Sequence, residues 1–200
     1  MPRPGYLDLT LGEFLDQVAA RVPAPGGGAV AAVSVAMAAG LAAMAARFSG
    51  DHLERAEAVA AQAETLRQRV APLADADAEA YQKVIDAFAR PREPGAEAGE
   101  LRRQTIRRAL EGAAEVPLRM AEVAAEVAEL AATIANGGNP NLRGDAVTAA
   151  LLAAAGARSA ANLVDINVGD RDQRALRAAR LAGAADDAAG RAVRLSASGR

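Results

Sequence analysis

Apolar residues recur at three- and four-residue steps along most of this chain, and clusters of Pro and Gly interrupt the pattern. Thr10 followed by Glu13 is a capping-box signature, so a first helix is expected from there to about Val22. Pro23-Ala24-Pro25-Gly26-Gly27-Gly28 must end it, because Pro cannot continue a helix and Gly favours turns. A second helix follows from about Ala29 to Phe48, and Ser49-Gly50-Asp51 closes it. The pattern then runs from His52 to Arg90, with Pro72 expected to kink or split it. Pro91-Arg92-Glu93-Pro94-Gly95 is a loop.

The next helix, about Glu97 to Ala135, carries Ile106, Leu110, Ala113, Pro117, Met120, Ala124, Val127, Ala131 and Ile134. Those steps alternate between four and three, which is a heptad seam, and Pro117 on the seam predicts a bend. Asn136-Gly137-Gly138-Asn139-Pro140-Asn141 terminates this helix with turn-forming residues. A fifth helix is expected from about Gly144 to Val168, and a last one from Arg171 to about Leu195 with Asp170 as its cap. The tail Ser196–Arg200 is expected to fray.

The expected fold is therefore all-α, a bundle of about six helices with two long members kinked at proline. No repeat or linker divides the chain, so residues 1–200 read as one domain with a core over about 7–195. Composition agrees: 52 % of residues are hydrophobic but only 2 % aromatic, and alanine, the best helix former, supplies much of the apolar count. The second and fifth helices carry the least charge and should lie at the centre. Their small residues and the heptad seam suit helix packing across a homodimer.

A formal net charge of −2 gives no global field that favours nucleic acid. With no Cys and a single His, the chain has no disulfide, thiolate site or multi-His metal site. Gly26 to Ala46 is uncharged over the length of a membrane span, but it is mostly Ala and Gly, so a buried core helix is expected and no membrane partner. The N-terminus lacks an apolar signal core, which points to the cytoplasm.

Four places carry possible chemistry. Gly26-Gly27-Gly28 removes three β-carbons where the chain meets a helix N-terminus, leaving backbone N–H groups able to face a ligand. A hinge or packing point is the competing reading. Asn139, Asn141 and Asp145 combine amides with a carboxylate at the start of the fifth helix, where Asp145 either caps or exchanges protons. Asp77 and Tyr81 share one helix face, and Asp75 and Glu79 share another, so one pair should face inward. Asn162 and Asn167 interrupt an apolar helix end. Arg171, Arg174, Arg177 and Arg180 form a row on the last helix, either an anion site or a solvated face paired with acids. His52 reads as a surface or capping residue, with a general base as the competing reading.

Several of these stretches, in order, resemble the cyclodeaminase/cyclohydrolase family, which includes formiminotetrahydrofolate cyclodeaminase domains and stand-alone methenyltetrahydrofolate cyclohydrolases. Leu11-Gly12-Glu13-Phe14-Leu15 and Pro23–Ala32 resemble its opening. Asp77-Ala78-Glu79-Ala80-Tyr81, Ala113-Ala114-Glu115-Val116-Pro117, and Gly138-Asn139 with Asn141, Asp145, Ala149–Leu152 and Asn167 resemble its later blocks. The family often has Ser where this chain has Ala29.

The resemblance implies an all-helical homodimer that acts on tetrahydrofolate carrying a one-carbon unit, with no metal and no further cofactor. In the cyclodeaminase, N10 attacks the N5-formimino carbon and ammonia leaves. In the cyclohydrolase, water opens the 5,10-methenyl bridge to 10-formyl-tetrahydrofolate. On this reading Asp77 and Asp145 are the catalytic carboxylates. Gly26, Gly27, Gly28, Tyr81, Asn139, Asn141 and Asn167 bind substrate, and an unassigned arginine meets its glutamate tail. No residues are left over for a separate formiminotransferase domain. The other class of function is a non-catalytic helical binding protein that keeps the fold.

Overall fold

The computed structural model describes residues 5–92 and 94–198. Among these the protein is all-helical, with seven α-helices: α1 (Leu11–Ala19), α2 (Gly27–Arg47), α3 (Ala56–Val70), α4 (Leu73–Ala89), α5 (Ala96–Gly137), α6 (Arg143–Val168) and α7 (Gln173–Ser198). The count exceeds the expected six because Pro72 splits the long third helix into α3 and α4. Pro117 does not split α5, which continues through it for 42 residues, roughly 63 Å. The loop expected at Pro91–Gly95 separates α4 from α5, with Glu93 outside the described residues.

The Thr10–Glu13 capping box forms as the sequence predicts. Glu13 N–H donates to Thr10 Oγ1 at 3.3 Å, and Thr10 N–H donates to Glu13 Oε2 at 2.8 Å. The helix is shorter than expected, ending at Ala19 rather than Val22. Two other boundaries differ. α2 begins inside the glycine triplet, with Gly26 as its N-cap. α7 begins two residues late, because Asp172 rather than Asp170 turns its carboxylate onto a first-turn N–H, that of Arg174, at 2.8 Å. The helix continues to Ser198, so most of the tail expected to fray belongs to it, and residues 199–200 lie outside the described part.

α2 lies at the centre and packs on α3, α4, α5 and α6, while α6 packs on α2, α5 and α7. Both are the low-charge helices. Two helices pass the length and apolarity expected of a membrane span, α2 and the segment Pro140–Val168, but most of α2 is covered by its neighbours. Small residues let these helices approach closely. A β-carbon on Gly156 of α6 would stand 2.3 Å from Val35 Cγ2 of α2. Packing is therefore dense although few large side chains are fully buried, Leu66, Met120 and Val127 among them. The α5 seam is buried from Ala113 to Ile134, but Ile106 and Leu110 are only half-buried.

Three arginines of α7 pair with acids of α5. Arg174 meets Glu115 at 3.1 Å, Arg177 meets Glu122 at 2.8 Å, and Arg191 bonds to Glu129. The glutamates are seven residues apart, so this zipper follows the heptad of the seam beneath it. Arg174 also holds Asp172, whose carboxyl is pulled down to about 2 by that bond. The paired, solvated reading of the row is the one the structure gives for Arg174 and Arg177.

Candidate active site

The loop before α2, the first turn of α2, the inner face of α4, the middle of α5 and the last turns of α6 enclose a cavity of about 270 Å³. Gly26, Gly27, Gly28, Asp77, Tyr81 and Asn167 all line it. Six of the nine site residues expected from sequence thus meet in one place, although they come from positions up to 141 residues apart (26 to 167).

Asp77 and Gly28 form the centre of the site. A β-carbon on Gly28 would stand 2.1 Å from Asp77 Oδ1, 2.2 Å from its Cγ and 2.3 Å from Oδ2. The carboxylate therefore rests directly on the α2 backbone, and only glycine allows it there. Gly27 and Gly28 occupy the first turn of α2, where N–H groups have no partner one turn earlier and carry the positive end of the helix dipole. Asp77 itself has no hydrogen-bond or ion-pair partner among the described residues. Burial pushes its carboxyl above the ordinary value. A half-buried carboxyl with raised affinity for a proton and no internal partner is free to exchange a proton with a bound molecule.

Tyr81 stands one helical turn beyond Asp77, at the rim of the cavity, 48 % exposed. The other expected pair, Asp75 and Glu79, faces the N-terminal segment instead: Asp75 Oδ1 accepts from Tyr6 N–H at 2.9 Å. Asn167 donates through Nδ2 to Leu163 O at 2.8 Å, which leaves its amide oxygen for the cavity. Ala29 is fully buried and does not line the cavity, so the missing family Ser hydroxyl removes no donor from this wall.

Asn139, Asn141 and Asp145 are not brought into this cavity. They lie at the opposite end of α6, where Asp145 and Asn167 are 22 residues and roughly 33 Å apart. Asn139 is engaged there in joining two helix ends. Its Nδ2 donates to Phe48 O at 3.1 Å, and its Oδ1 accepts from Asn141 N–H at 3.0 Å. Its own N–H donates to the buried Ser49 Oγ at 3.0 Å. Gly138 makes that approach possible, since a β-carbon there would stand 2.6 Å from Ser49 Oγ. His52 and Asn162 are exposed. Sequence reasoning did not single out Leu163 and Ile166, which also line the cavity. Nothing in their type or spacing separates them from ordinary helix apolar positions.

No three His, Asp or Glu side chains among the described residues group closely enough to hold a metal ion.

Comparison with known proteins places the chain and its all-helical fold. The formiminotransferase-cyclodeaminase family profile matches residues 10–186, and the chain belongs to that family. Over 178 residues the chain is 36 % identical to methenyltetrahydrofolate cyclohydrolase of Methylorubrum extorquens, covering 86 % of this chain and 85 % of that one. It is 30 % identical over 184 residues to mouse formimidoyltransferase-cyclodeaminase, covering 84 % of this chain but only 32 % of the mouse protein. The crystal structure of formiminotetrahydrofolate cyclodeaminase from Thermotoga maritima superposes with a TM-score of 0.81 at 28 % identity, over 95 % of this chain and 96 % of that one.

Proposed function

We propose that this protein is a folate one-carbon enzyme that works at the bridge between N5 and N10 of tetrahydrofolate, as a methenyltetrahydrofolate cyclohydrolase. The observation that carries this reading is the Asp77 carboxylate, unpartnered and half-buried against Gly28 in a cavity floored by a helix N-terminus. The similarity to the Methylorubrum enzyme over nearly its whole length favours the hydrolytic reaction. The fold of the Thermotoga enzyme favours the second reading, formiminotetrahydrofolate cyclodeaminase.

The chemistry suits the site. The 5,10-methenyl bridge is a cationic carbon between two nitrogens. Asp77 takes a proton from an attacking water as the C–O bond forms, giving a neutral tetrahedral carbon. The C–N5 bond then breaks, Asp77 returns its proton to N5, and the hydroxyl proton leaves to solvent as the formyl group forms on N10. Raised proton affinity makes this carboxylate a better proton acceptor than an exposed one, and the acid so formed is the donor to N5. The cationic substrate in turn favours the ionised carboxylate. Backbone N–H groups of Gly27 and Gly28 hydrogen-bond the formyl oxygen of the product, and the Asn167 amide hydrogen-bonds the one-carbon bridge beside the cavity mouth. Tyr81 closes the rim. These steps use no metal and no second cofactor.

The protein acts as a cytoplasmic homodimer on this reading. α2 and α6 run antiparallel, with Gly156 against Val35 and the start of α2 beside the end of α6, and each leaves apolar side chains exposed, Val30 and Met37 on α2 and Leu151 and Ile166 on α6. A two-fold axis across the middle of these helices would lay the Asp145 end of one protomer beside the Asp77 cavity of the other. Asp145, Asn139 and Asn141 join the site only in that arrangement.

Assay with 5,10-methenyl-tetrahydrofolate, whose absorbance falls on ring opening, tests the reaction. Ammonia release from the formimino substrate identifies the second reading. Binding of folate without turnover of either substrate supports the non-catalytic alternative.

A further inference from the structure

A second groove, of about 430 Å³, adjoins the cavity and shares Asn167 with it. It runs along α5 away from Ala113, the α5 residue in the cavity wall. Ile106 and Leu110 form its floor: they continue the α5 seam beyond the point where α6 ends at Val168, and so are left half-buried. Arg107 and Arg103 stand roughly 9 and 15 Å along the helix from Ala113.

The charges of this groove are not equivalent. Arg174 is committed to Asp172 and Glu115. Arg103 is held by Glu100 at 2.7 Å. Glu111 also faces the groove, and its carbonyl accepts from Arg174. Arg107 alone among these arginines makes no hydrogen bond or ion pair with the described residues, and only the more distant charge of Glu100 acts on it.

We propose that Arg107 binds the carboxylates of the substrate's glutamate tail, with the aromatic spacer lying over Ile106 and Leu110. This rests on the folate reading above. With the reacting bridge at Asp77, the rest of the substrate must leave the cavity, and the groove past Asn167 offers an apolar floor followed by a free guanidinium. That order matches an aromatic ring followed by a dianion, and a guanidinium fork fits a carboxylate in a bidentate manner. Arg174 and Arg177 of the arginine row, which the sequence left open between an anion site and a paired face, are spent on the α5 zipper.

The test compares 5,10-methenyl-tetrahydrofolate with its tetrahydropteroate analogue, which lacks the glutamate, on wild type and Arg107→Gln. The expected result is a KM about ten-fold higher for Arg107→Gln with the glutamate substrate, at low ionic strength, and a gap that narrows as salt screens the contact. With the pteroate substrate the two proteins should have KM values within two-fold. Equal effects on both substrates, or no effect on either, overturn the tail assignment while leaving the folate reading intact. Failure of the wild type to bind or turn over either substrate removes both.

Discussion

The Asp77 carboxylate occupies the space that a β-carbon on Gly28 would need, with Oδ1 only 2.1 Å from that position. Two residues 49 positions apart (28 to 77) are therefore one device: α4 supplies the carboxyl, and α2 gives up a side chain to seat it. Gly28→Ala should keep the helical content, because alanine is a better helix former than glycine. It should nevertheless lower kcat/KM about 10²-fold by displacing the carboxyl from the backbone. Circular dichroism with steady-state kinetics checks this, and a fully active Gly28→Ala would separate the glycine from the chemistry.

Asp77 has a signature in stability as well as activity. Burial raises its proton affinity in the folded state, so folding favours the neutral form. That favourable contribution is complete below the ordinary Asp value, near pH ~3.9, and is lost as pH rises through the raised folded value. Asp77→Asn should therefore raise Tm at neutral pH relative to wild type, and the difference should shrink in acid. The same variant should cut turnover about 10²-fold or more and remove the acidic limb of the kcat/KM profile. Thermal melts from pH 3 to 8 alongside the rate profile measure both.

How much of this site was legible in the sequence follows from its geometry. Asp77 and Tyr81 were placed together by helical spacing, and Gly26–Gly28 by the break in the pattern, because both signals are local. That the two groups meet is tertiary information, carried by the close packing of α2 on α4. The grouping of Asp145 with Asp77 came from motif order alone. A 26-residue helix separates its ends by far more than a small ligand's length, which motif order does not register. The seven-helix count likewise turned on Pro72, whose two outcomes, kink or split, share one sequence pattern.

Asn139 should prove structural within its own chain. Its side chain joins Phe48 O to Asn141 N–H, and Asn139→Ala leaves both without it. A loss of about 1–2 kcal/mol in chemical denaturation is expected. An unchanged denaturation midpoint would contradict this joint, whereas a raised KM alongside the lost stability is what the two-fold arrangement expects.

The α2–α6 crossing sets a packing limit. Gly156→Ala would place a methyl 2.3 Å from Val35 Cγ2, and overpacking of this kind costs about 1–3 kcal/mol. Val35→Ala in the same chain should recover part of that loss, since it empties the space the new methyl needs. Denaturant midpoints of the two singles and the double measure the coupling.

Asp145 distinguishes a shared site from a self-contained one. If a partner supplies it, Asp77→Asn and Asp145→Asn are each inactive, while an equal mixture refolded together regains up to about a quarter of wild-type activity, because half the dimers carry one intact site of two. Full activity of Asp145→Asn alone would confine the chemistry to the Asp77 cavity.

The most direct measurement is the decay of 5,10-methenyl-tetrahydrofolate absorbance with purified wild type and Asp77→Asn at neutral pH, corrected for the uncatalysed rate. The expected result is rapid ring opening by wild type, at least about 10²-fold faster than by the variant, with both proteins folded. Equal rates for the two proteins, or no catalysis and no binding by wild type, would contradict the assignment of this cavity to folate chemistry at Asp77.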